Sequence, residues 1–261
     1  GKVYNVIHIG YAAFDQCYNL TYVDIPSSIK TIGVAAFSNC SSLTSITLKE
    51  GLEHIEGNAF ADCRLLETIT FPNSLKTVGS YAFSFTAWYN NQPNGGVYAG
   101  NVFYKYKGDI PQNTSFVIKE GTVSISPDAF IKENRRIDYG LVDIAIPNSV
   151  EIIGEYAFSN CRALRSVNIP HEVTTIENYA LEGAGLQSVE FGGNSSVTSI
   201  GDSAFRNNEL TSVEIPDSVE EIGNSAFSGN QIEELTIGTT TEVENQLSKT
   251  TGNGCCYSQY C

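Results

Sequence analysis

The chain has 261 residues, 41% of them hydrophobic, and it carries 29 acidic side chains against 15 basic ones. Because an excess of negative charge repels phosphate backbones, we expect no nucleic-acid partner. No stretch approaches the roughly 18 consecutive apolar residues that a membrane-spanning helix needs, so we expect no membrane insertion within this segment.

A repeat begins close to the N-terminus. The dipeptide Ala-Phe recurs at a fixed spacing of 23 residues and returns further along the chain, with Leu181 in the same place once. The anchor phenylalanines are Phe14, Phe37, Phe60, Phe83, Phe130, Phe158, Phe205 and Phe227. A fixed period of this size indicates stacked structural units.

Each unit contains the same predicted elements in the same order. The Ala-Phe segment predicts a tight, 3₁₀-like turn with the phenylalanine at the centre. The apolar residues Ile46 and Leu48 are two apart, which points both to one face of a short strand. A proline such as Pro170 then ends the strand because it lacks an N–H group. Segments such as Val150 to Ile153 predict a second brief strand.

No single turn of this kind can bury its apolar side alone, so its stability must come from stacking on its neighbours. We therefore predict that residues 1–238 form a repeat solenoid, mostly β, with short strands and 3₁₀ or helical turns. Residues 239–261, rich in Thr, Gly and Cys, are predicted to form a C-terminal tail.

The repeated string Ile-Gly-x-x-Ala-Phe-x-x-Cys-x-x-Leu-x-x-Ile-x-Ile-Pro resembles the BspA-like leucine-rich repeats of bacterial and protist surface proteins. The resemblance covers nearly all of residues 3 to 238. It implies a right-handed coil and an adhesin-like role at the cell surface, and it brings no catalytic residue or cofactor. Departures that would loosen single turns are Leu181 in an anchor position, and Glu56 and Glu177 in the usual glycine position.

An insertion at about 84–112 interrupts the repeat, because Phe83 and Phe130 are 47 residues apart. Asn94-Gly95-Gly96 is a turn signal, and Val97 to Tyr106 predicts a β-hairpin. The insertion is rich in aromatic residues, among them Trp88, Tyr89, Tyr104 and Tyr106. These rings are either a protruding contact site or a local core packed against the solenoid. We favour the local core, because an insertion of this size must bury something to hold a shape.

Cysteines occupy a fixed position three residues after an anchor phenylalanine, at Cys17, Cys40, Cys63 and Cys161. Asn208 and Asn230 fill the same position in later turns. We predict buried structural thiols and backbone-capping asparagines here. A disulfide between stacked cysteines is the alternative. For the tail cysteines, Cys255, Cys256 and Cys261, a flexible or capping tail and a disulfide both stay open.

Outward-facing strand residues form a predicted column of small hydroxyls that turns acidic in the C-terminal half. Candidate contact residues in it are Tyr22, Asp24, Glu190 and Glu214. Solenoids bind partners on such extended faces. The alternative is a polar strand face without a ligand, since serine and threonine suit exposed strands.

The three histidines are isolated, and no pair has metal-ligand spacing. No catalytic or phosphate-binding motif is present, so we expect neither an enzyme nor a metal or cofactor site. Our hypothesis is a non-catalytic, extracellular or surface-displayed scaffold that binds a host or microbial protein. One alternative is a carbohydrate-binding module that uses the aromatic insertion. Another is a structural spacer in a larger surface protein.

Overall fold

The computed structural model describes residues 5–131 and 140–238, which form two compact units. The N-terminal unit contains residues 5–108 and 123–127. The C-terminal unit contains residues 109–122, 128–131 and 140–238. The predicted tail and its three cysteines lie outside the described residues, so the division of the chain at residue 238 stays a prediction.

The elements are short strands and a single turn of helix in the described part of the chain. The first half contains β1 (His8–Ile9), β2 (Thr31–Ile32), β3 (Ser45–Thr47), β4 (His54–Ile55), β5 (Thr68–Thr70), β6 (Thr77–Val78), α1 (Ala87–Asn90), β7 (Gly95–Ala99), β8 (Val102–Lys107), β9 (Thr114–Val117) and β10 (Ser124–Ile125). The second half contains β11 (Leu141–Ala145), β12 (Ile152–Ile153), β13 (Ser166–Ile169), β14 (Thr175–Ile176), β15 (Ser188–Phe191), β16 (Ser199–Ile200), β17 (Ser212–Ile215), β18 (Glu221–Ile222) and β19 (Glu234–Ile237).

In the N-terminal unit, equivalent strands of successive turns pair in parallel. Strands β1, β2, β4 and β6 form one ladder, and β3 pairs with β5. His8 lies opposite Thr31, Thr31 opposite His54, and His54 opposite Thr77. The register follows the sequence period, so every side-chain position of the repeat is stacked on its own counterpart.

The C-terminal unit repeats this arrangement. Strands β12, β14, β16 and β18 form a parallel ladder, while β13 pairs with β15 and β17 with β19. Strands β9 and β11 also pair in parallel, with a register shift between Leu141 and Asp143. Each unit is thus a mostly β repeat solenoid, which confirms the predicted fold class.

The Ala-Phe segment is a tight turn, but its hydrogen bonds are not those of a 3₁₀ helix. The N–H of Ser38 donates to the Ala35 carbonyl of its own turn at 3.0 Å, whereas the N–H of Phe37 donates to Ala59 in the next turn at 2.8 Å. This alternation requires left-handed backbone at Ala35 and Asn39, with φ of 56° and 59°. Since every second donor joins two turns, the consecutive bonds of a 3₁₀ helix cannot form.

The anchor side chains form the core of each unit. In the N-terminal unit the rings of Phe14, Phe37, Phe60 and Phe83 are stacked, with successive centroids 5.1, 5.4 and 5.6 Å apart. In the C-terminal unit Phe130 stacks on Phe158, Phe205 stacks on Phe227, and Leu181 is fully buried. Leu181 therefore takes the place of a ring without opening the core.

The hairpin predicted at Val97 to Tyr106 is present. Strands β7 and β8 are antiparallel and are joined at Gly100-Asn101, where Gly100 has a φ of 61°. Gly95 and Gly96, which the sequence indicated as a turn before the hairpin, belong instead to β7. Strand β8 also pairs in parallel with β10, Phe103 lying opposite Ile125. The hairpin is thus built into the sheet of the N-terminal unit.

Candidate functional site

The first candidate site is a strand wall, which each unit has separately. It consists of the outward-facing residues of β3 and β5 in the N-terminal unit, and of those of β13, β15, β17 and β19 in the C-terminal unit. In β13 the side chains of Ser166 and Asn168 are exposed, while Val167 and Ile169 are buried. This alternation follows from the pleat of a strand that covers a core on one face. The outward placement predicted from the sequence is confirmed for these strands.

The pairing register sets the spacing of the wall. Asn168 lies opposite Glu190 in β15, and Glu214 of β17 lies opposite Thr236 of β19. Paired strands are roughly 4.8 Å apart, so equivalent wall positions of β13 and β15, and of β17 and β19, lie side by side at this spacing. Glu190 and Glu214 are both exposed. The structure therefore presents both acidic candidates to solvent on a rigid backbone.

Tyr22 and Asp24 lie before the first wall strand of the N-terminal unit. The Tyr22 side chain is 61% exposed. Asp24 forms a backbone bridge with Thr47, and its carboxylate forms an ion pair with Lys49. Tyr22 is accessible for contact, whereas the charge of Asp24 is partly neutralised by its lysine neighbour. Whether either residue binds a partner stays a prediction.

The two units differ sharply in charge. Residues 140–238 contain 15 acidic and 3 basic side chains, whereas residues 5–108 contain 7 acidic and 6 basic ones. The acidic excess of the chain therefore lies mainly in the C-terminal unit. The low ratio of basic to acidic groups gives that unit a net negative charge, to which Glu190, Glu214 and Glu234 on its wall contribute.

The aromatic insertion is the second candidate site, and Tyr104 lies at its centre. The side chain is buried, and its ring contacts Phe83 edge-to-face at 5.6 Å. Its hydroxyl accepts a hydrogen bond from the Phe83 N–H at 3.1 Å. In the preceding turn, the N–H of Phe60 donates to the carbonyl of Ala82 instead. The Tyr104 hydroxyl thus replaces a backbone carbonyl, and burial raises its pKa, which keeps it neutral.

Trp88 and Tyr89 lie on α1, and their rings pack against Phe83 and Tyr104, respectively. Thr86 caps the helix by accepting a hydrogen bond from the Tyr89 N–H. The Trp88 ring lies 5.1 Å from the Phe83 ring, and the Tyr89 ring lies 5.8 Å from that of Tyr104. The insertion is therefore a local aromatic core, as the favoured interpretation predicted.

Burial limits what this insertion can bind. Tyr89 and Tyr104 are 8% and 4% exposed, and Trp88 and Tyr106 are partly buried. A ring must present a face to stack on a sugar, so Tyr89 and Tyr104 cannot take that role in this conformation. A contact through Trp88 or Tyr106 stays a prediction.

Sequence reasoning missed one residue and one contact that hold the insertion together. Lys107 donates hydrogen bonds from Nζ to the carbonyls of Tyr89, Asn90 and Gln92 at the end of α1. The contact between Tyr104 and Phe83 was also missed. A signal existed for it, because the two residues are 21 positions apart, which is close to the repeat period.

The cysteine position is structural in the N-terminal unit. The Cys40 Sγ donates to the Phe14 carbonyl at 3.2 Å, and the Cys63 Sγ donates to the Phe37 carbonyl at 3.0 Å. Both side chains are fully buried. Burial raises the pKa of the Cys40 thiol, and it raises that of Cys63 to about 12. Cys40 and Cys63 are buried structural thiols, as predicted, and Cys161 is buried as well. For Cys17 the prediction of burial was wrong, because this thiol is exposed in the structure.

Asn208 caps the backbone from the same position in the C-terminal unit. Its Nδ2 donates to the carbonyls of Leu181 and Phe205, each at 2.9 Å. Its Oδ1 accepts from the N–H groups of Gly185 and Leu186, each at 3.0 Å. The prediction of a backbone-capping asparagine is confirmed.

We expected Glu177, a glutamate in the usual glycine position, to loosen its turn. The structure shows instead that it joins the turn to its neighbour. Its carboxylate accepts a hydrogen bond from the N–H of Glu155 in the preceding turn at 2.8 Å. The longer side chain reaches back over the turn boundary and replaces close backbone packing with a charge-assisted bond. This departure from the repeat therefore joins two turns.

Two histidines have ordinary polar neighbours. His54 Nδ1 lies 2.8 Å from the Thr77 hydroxyl, and His171 lies 3.0 Å from the Glu172 carboxylate. Within residues 5–131 and 140–238, no group of three His, Cys, Asp or Glu side chains is placed to hold a metal ion. No helix in the same ranges has the length and apolar character needed to cross a bilayer.

Several solved bacterial proteins are similar to this chain. A leucine-rich repeat protein from Bacteroides ovatus is 23% identical over 90% of this chain, with a TM-score of 0.37, and this chain spans 65% of that protein. A leucine-rich cell surface protein from Faecalibacterium prausnitzii is 19% identical, with 96% and 88% of the two chains covered and a TM-score of 0.33. The pneumococcal vaccine antigen PcpA is 18% identical, with 89% and 68% covered and a TM-score of 0.37.

The family assignment rests on the sequence pattern and not on these structural similarities, whose TM-scores are all below 0.5. No curated protein sequence is similar enough to count as a relative. The pattern of the BspA type leucine rich repeat region matches residues 7–138 and 137–251. It matches nearly the whole chain, and the stacked turns have the geometry that such a repeat requires. The chain therefore belongs to the BspA-type leucine-rich repeat family.

Proposed function

We propose that this chain is a non-catalytic binding scaffold of an extracellular or cell-surface protein, and that it binds a protein partner through the strand wall. The observation that supports this most directly is the in-register row of exposed side chains, in which Asn168 lies beside Glu190 and Glu214 beside Thr236. The resemblance to surface proteins with BspA-like repeats supports the location.

A preformed wall favours protein binding for a physical reason. Its strands are fixed by backbone hydrogen bonds between turns, and buried residues such as Val167 and Ile169 anchor each strand from behind. The exposed side chains are thus held in place before a partner arrives, so little conformational entropy is lost on binding. Repeat proteins use extended faces of this kind to contact partners.

The charge of the C-terminal unit indicates the class of partner. With 15 acidic and 3 basic side chains in residues 140–238, this unit attracts basic protein surfaces and repels acidic ones. Complementary charge speeds association and selects among partners. We therefore propose a partner with a cationic surface, such as a basic protein of the extracellular matrix or of another microbe.

Charge reversal on the wall tests this proposal. The variant Glu190→Lys/Glu214→Lys is compared with Glu151→Lys/Glu220→Lys, which changes the net charge equally at exposed positions off the wall. Equivalent positions of the N-terminal unit hold Lys30 and Lys76, so lysine is compatible with the control sites. Binding to a panel of immobilised basic and acidic matrix proteins is measured at low and high salt.

We expect the intact chain to bind basic members of the panel and the wall variant to bind them at least about tenfold more weakly. The control variant should lose less affinity, because it weakens only the long-range electrostatic attraction and alters no residue of the wall. Added salt weakens binding of the intact chain. Equal losses of affinity in the two variants would show that the wall is not the binding face. If the intact chain binds no basic protein of the panel, the proposed class of partner is wrong.

A further inference from the structure

The turn around Leu181 leaves a gap in two rows of side chains of the C-terminal unit. In each row, equivalent residues of three successive turns lie side by side, and the middle residue is a glycine. The rows are Asn160–Gly183–Asn207 and Arg162–Gly185–Glu209. Because glycine has no side chain, a polar cavity of about 330 Å³ opens between the turns on either side. We call this cavity the notch.

Backbone hydrogen bonds between the turns fix the width of the notch. The Asn160 N–H donates to the Glu182 carbonyl of the next turn, and the Gly183 N–H donates to the Arg206 carbonyl of the turn after it, both at 2.8 Å. Neighbouring turns are roughly 4.8 Å apart, so positions two turns apart are separated by about 10 Å. The notch therefore has room for a ligand between Arg162 on one side and Glu209 on the other.

The fold leaves polar groups of the notch available to a ligand. The Asn160 Oδ1 lies 3.3 Å from the position that a Cβ on Gly183 would take, so it is directed at the gap. Among the residues that the structure describes, neither Arg162 nor Glu182 forms an ion pair. The guanidinium and the carboxylate thus keep their hydrogen-bonding capacity for a molecule bound between them.

The charges of the notch indicate the class of ligand. One cationic side chain, Arg162, and two carboxylates, Glu182 and Glu209, line it. A carboxylate pairs with a guanidinium through two parallel hydrogen bonds, and ammonium or guanidinium groups pair with carboxylates. The complementary ligand therefore has one carboxylate and two cationic groups. A free basic amino acid, such as lysine or arginine, carries this set of charges.

We propose that the notch binds a free basic amino acid, with the α-carboxylate on Arg162 and the two cationic groups on Glu182 and Glu209. The inference is independent of the proposed protein-binding function, because the notch shares no residue with the strand wall. Arg162 and Glu209 are exposed. Exposed ion pairs are weak and are screened by salt, so the binding is weak and weakens further as salt is added.

The test titrates the isotope-labelled full chain with L-lysine and with L-arginine and follows its amide signals by NMR. We expect saturable shifts that are largest at Gly183 and Gly185. Two analogues of lysine separate the charges. Cadaverine lacks the carboxylate and norleucine lacks the side-chain ammonium, and each should bind at least about fivefold more weakly than lysine.

Three variants assign the contacts. Arg162→Gln should remove the preference for lysine over cadaverine, whereas Arg165→Gln removes the same charge at an exposed position outside the notch and should keep that preference. Gly183→Asn should fill the notch and prevent binding. Asparagine suits this position, because Asn160, Gly183 and Asn207 have the same left-handed backbone, with φ of 60°, 60° and 56°.

The proposal is overturned if neither lysine nor arginine binds at concentrations up to about 10 mM. It is also overturned if cadaverine or norleucine binds as tightly as lysine, or if the saturable shifts lie away from the notch. Equal lysine affinities of Arg162→Gln and Arg165→Gln would overturn it as well. The comparison of these two exposed variants remains decisive even if Gly183→Asn fails to fold.

Discussion

Cys63 and Asn208 occupy the same position in two turns of the repeat, but they hold their turns differently. The Cys63 thiol makes one hydrogen bond, to the Phe37 carbonyl of the preceding turn. The Asn208 carboxamide makes bonds of good geometry to four backbone groups, among them the carbonyls of Leu181 and Phe205. Both satisfy the carbonyl of the preceding anchor residue, but only the amide also satisfies backbone donors.

The comparison shows that this position of the repeat requires a hydrogen-bond donor and not one particular residue type. The buried carbonyl of the preceding anchor needs a donor, and a thiol or an amide can supply one. The turn before Asn208 contains Gly183-Ala184-Gly185 and lacks an anchor phenylalanine. The additional hydrogen bonds of the amide therefore stabilise the place where the aromatic stack is interrupted.

Surface charge distinguishes the units in a second way. In the N-terminal unit Glu53 lies between Lys30 and Lys76, with ion-pair distances of 2.9 and 3.0 Å. The C-terminal unit has too few basic side chains to neutralise its acidic ones in this manner. The first unit largely compensates its own charge, whereas the second carries an uncompensated negative charge, on which the proposed basic partner depends.

The largest expected effect is that of Asn208→Ala. The substitution leaves the Gly185 and Leu186 N–H groups and the Leu181 carbonyl without a partner in a buried setting. We expect it to lower the free energy of unfolding by about 3 kcal/mol, measured by urea denaturation. The exposed wall variant Asn168→Ala should change it by less than about 0.5 kcal/mol.

Asn208→Cys sharpens the comparison between amide and thiol. A thiol here can still donate to the Leu181 carbonyl, as Cys63 donates to that of Phe37, so the loss should be smaller than with alanine. If cysteine and alanine destabilise equally, the hydrogen bond of the thiol contributes nothing to the turn.

Cys63→Ala should have a smaller effect. It removes one weak hydrogen bond and a single sulfur atom from the core, so we expect a loss of about 1 kcal/mol in the free energy of unfolding. Cys17→Ala, at the same repeat position in a turn where the thiol is exposed, should change it hardly at all. A loss at Cys63 as large as that of Asn208→Ala would show that the two side chains are equivalent.

The smallest expected effect concerns pH. Hydrogen bonds and charge attraction from Lys30 and Lys76 lower the Glu53 pKa to about 2. A carboxylate with a lowered pKa stabilises the fold above its usual pKa, and this contribution is lost as pH falls from about 4.5 toward 2. Glu53→Gln should therefore lower the melting temperature near neutral pH but not at about pH 2, with salt reducing the difference. Glu67→Gln, an exposed control, should lower the melting temperature less than Glu53→Gln near neutral pH. An equal decrease would show that the ion pairs of Glu53 with Lys30 and Lys76 do not stabilise the fold.

Much of this fold follows from the period of the sequence. Because equivalent residues stack, a single pattern predicts the buried Phe37, the inward Cys40 and the outward Asn168. Phe14 and Cys17 fill the same inward positions of an earlier turn and are nevertheless exposed. A hydrogen bond from the side chain to the backbone could also be predicted, because a buried position that holds cysteine in some turns and asparagine in others needs a donor that both can supply.

The insertion could not be predicted to the same depth. It lies outside the repeat, so the period only approximates the register of Tyr104, which follows Phe83 by 21 residues, and gives no orientation for Trp88. The left-handed backbone at Tyr81 and Phe85, with φ of 60° and 61°, was also hidden, because bulky residues seldom adopt it. Only the contacts between turns impose that conformation, and these are tertiary interactions.

Site-specific photo-crosslinking tests the central claim, that the strand wall is the binding face. A photoreactive residue is placed at Asn168 on the wall or at Thr174 off it, both exposed in the C-terminal unit. Each is irradiated with the basic panel protein that the intact chain binds most tightly. We predict abundant adduct from position 168 and little from position 174. Equal yields, or a higher yield from position 174, would contradict the account.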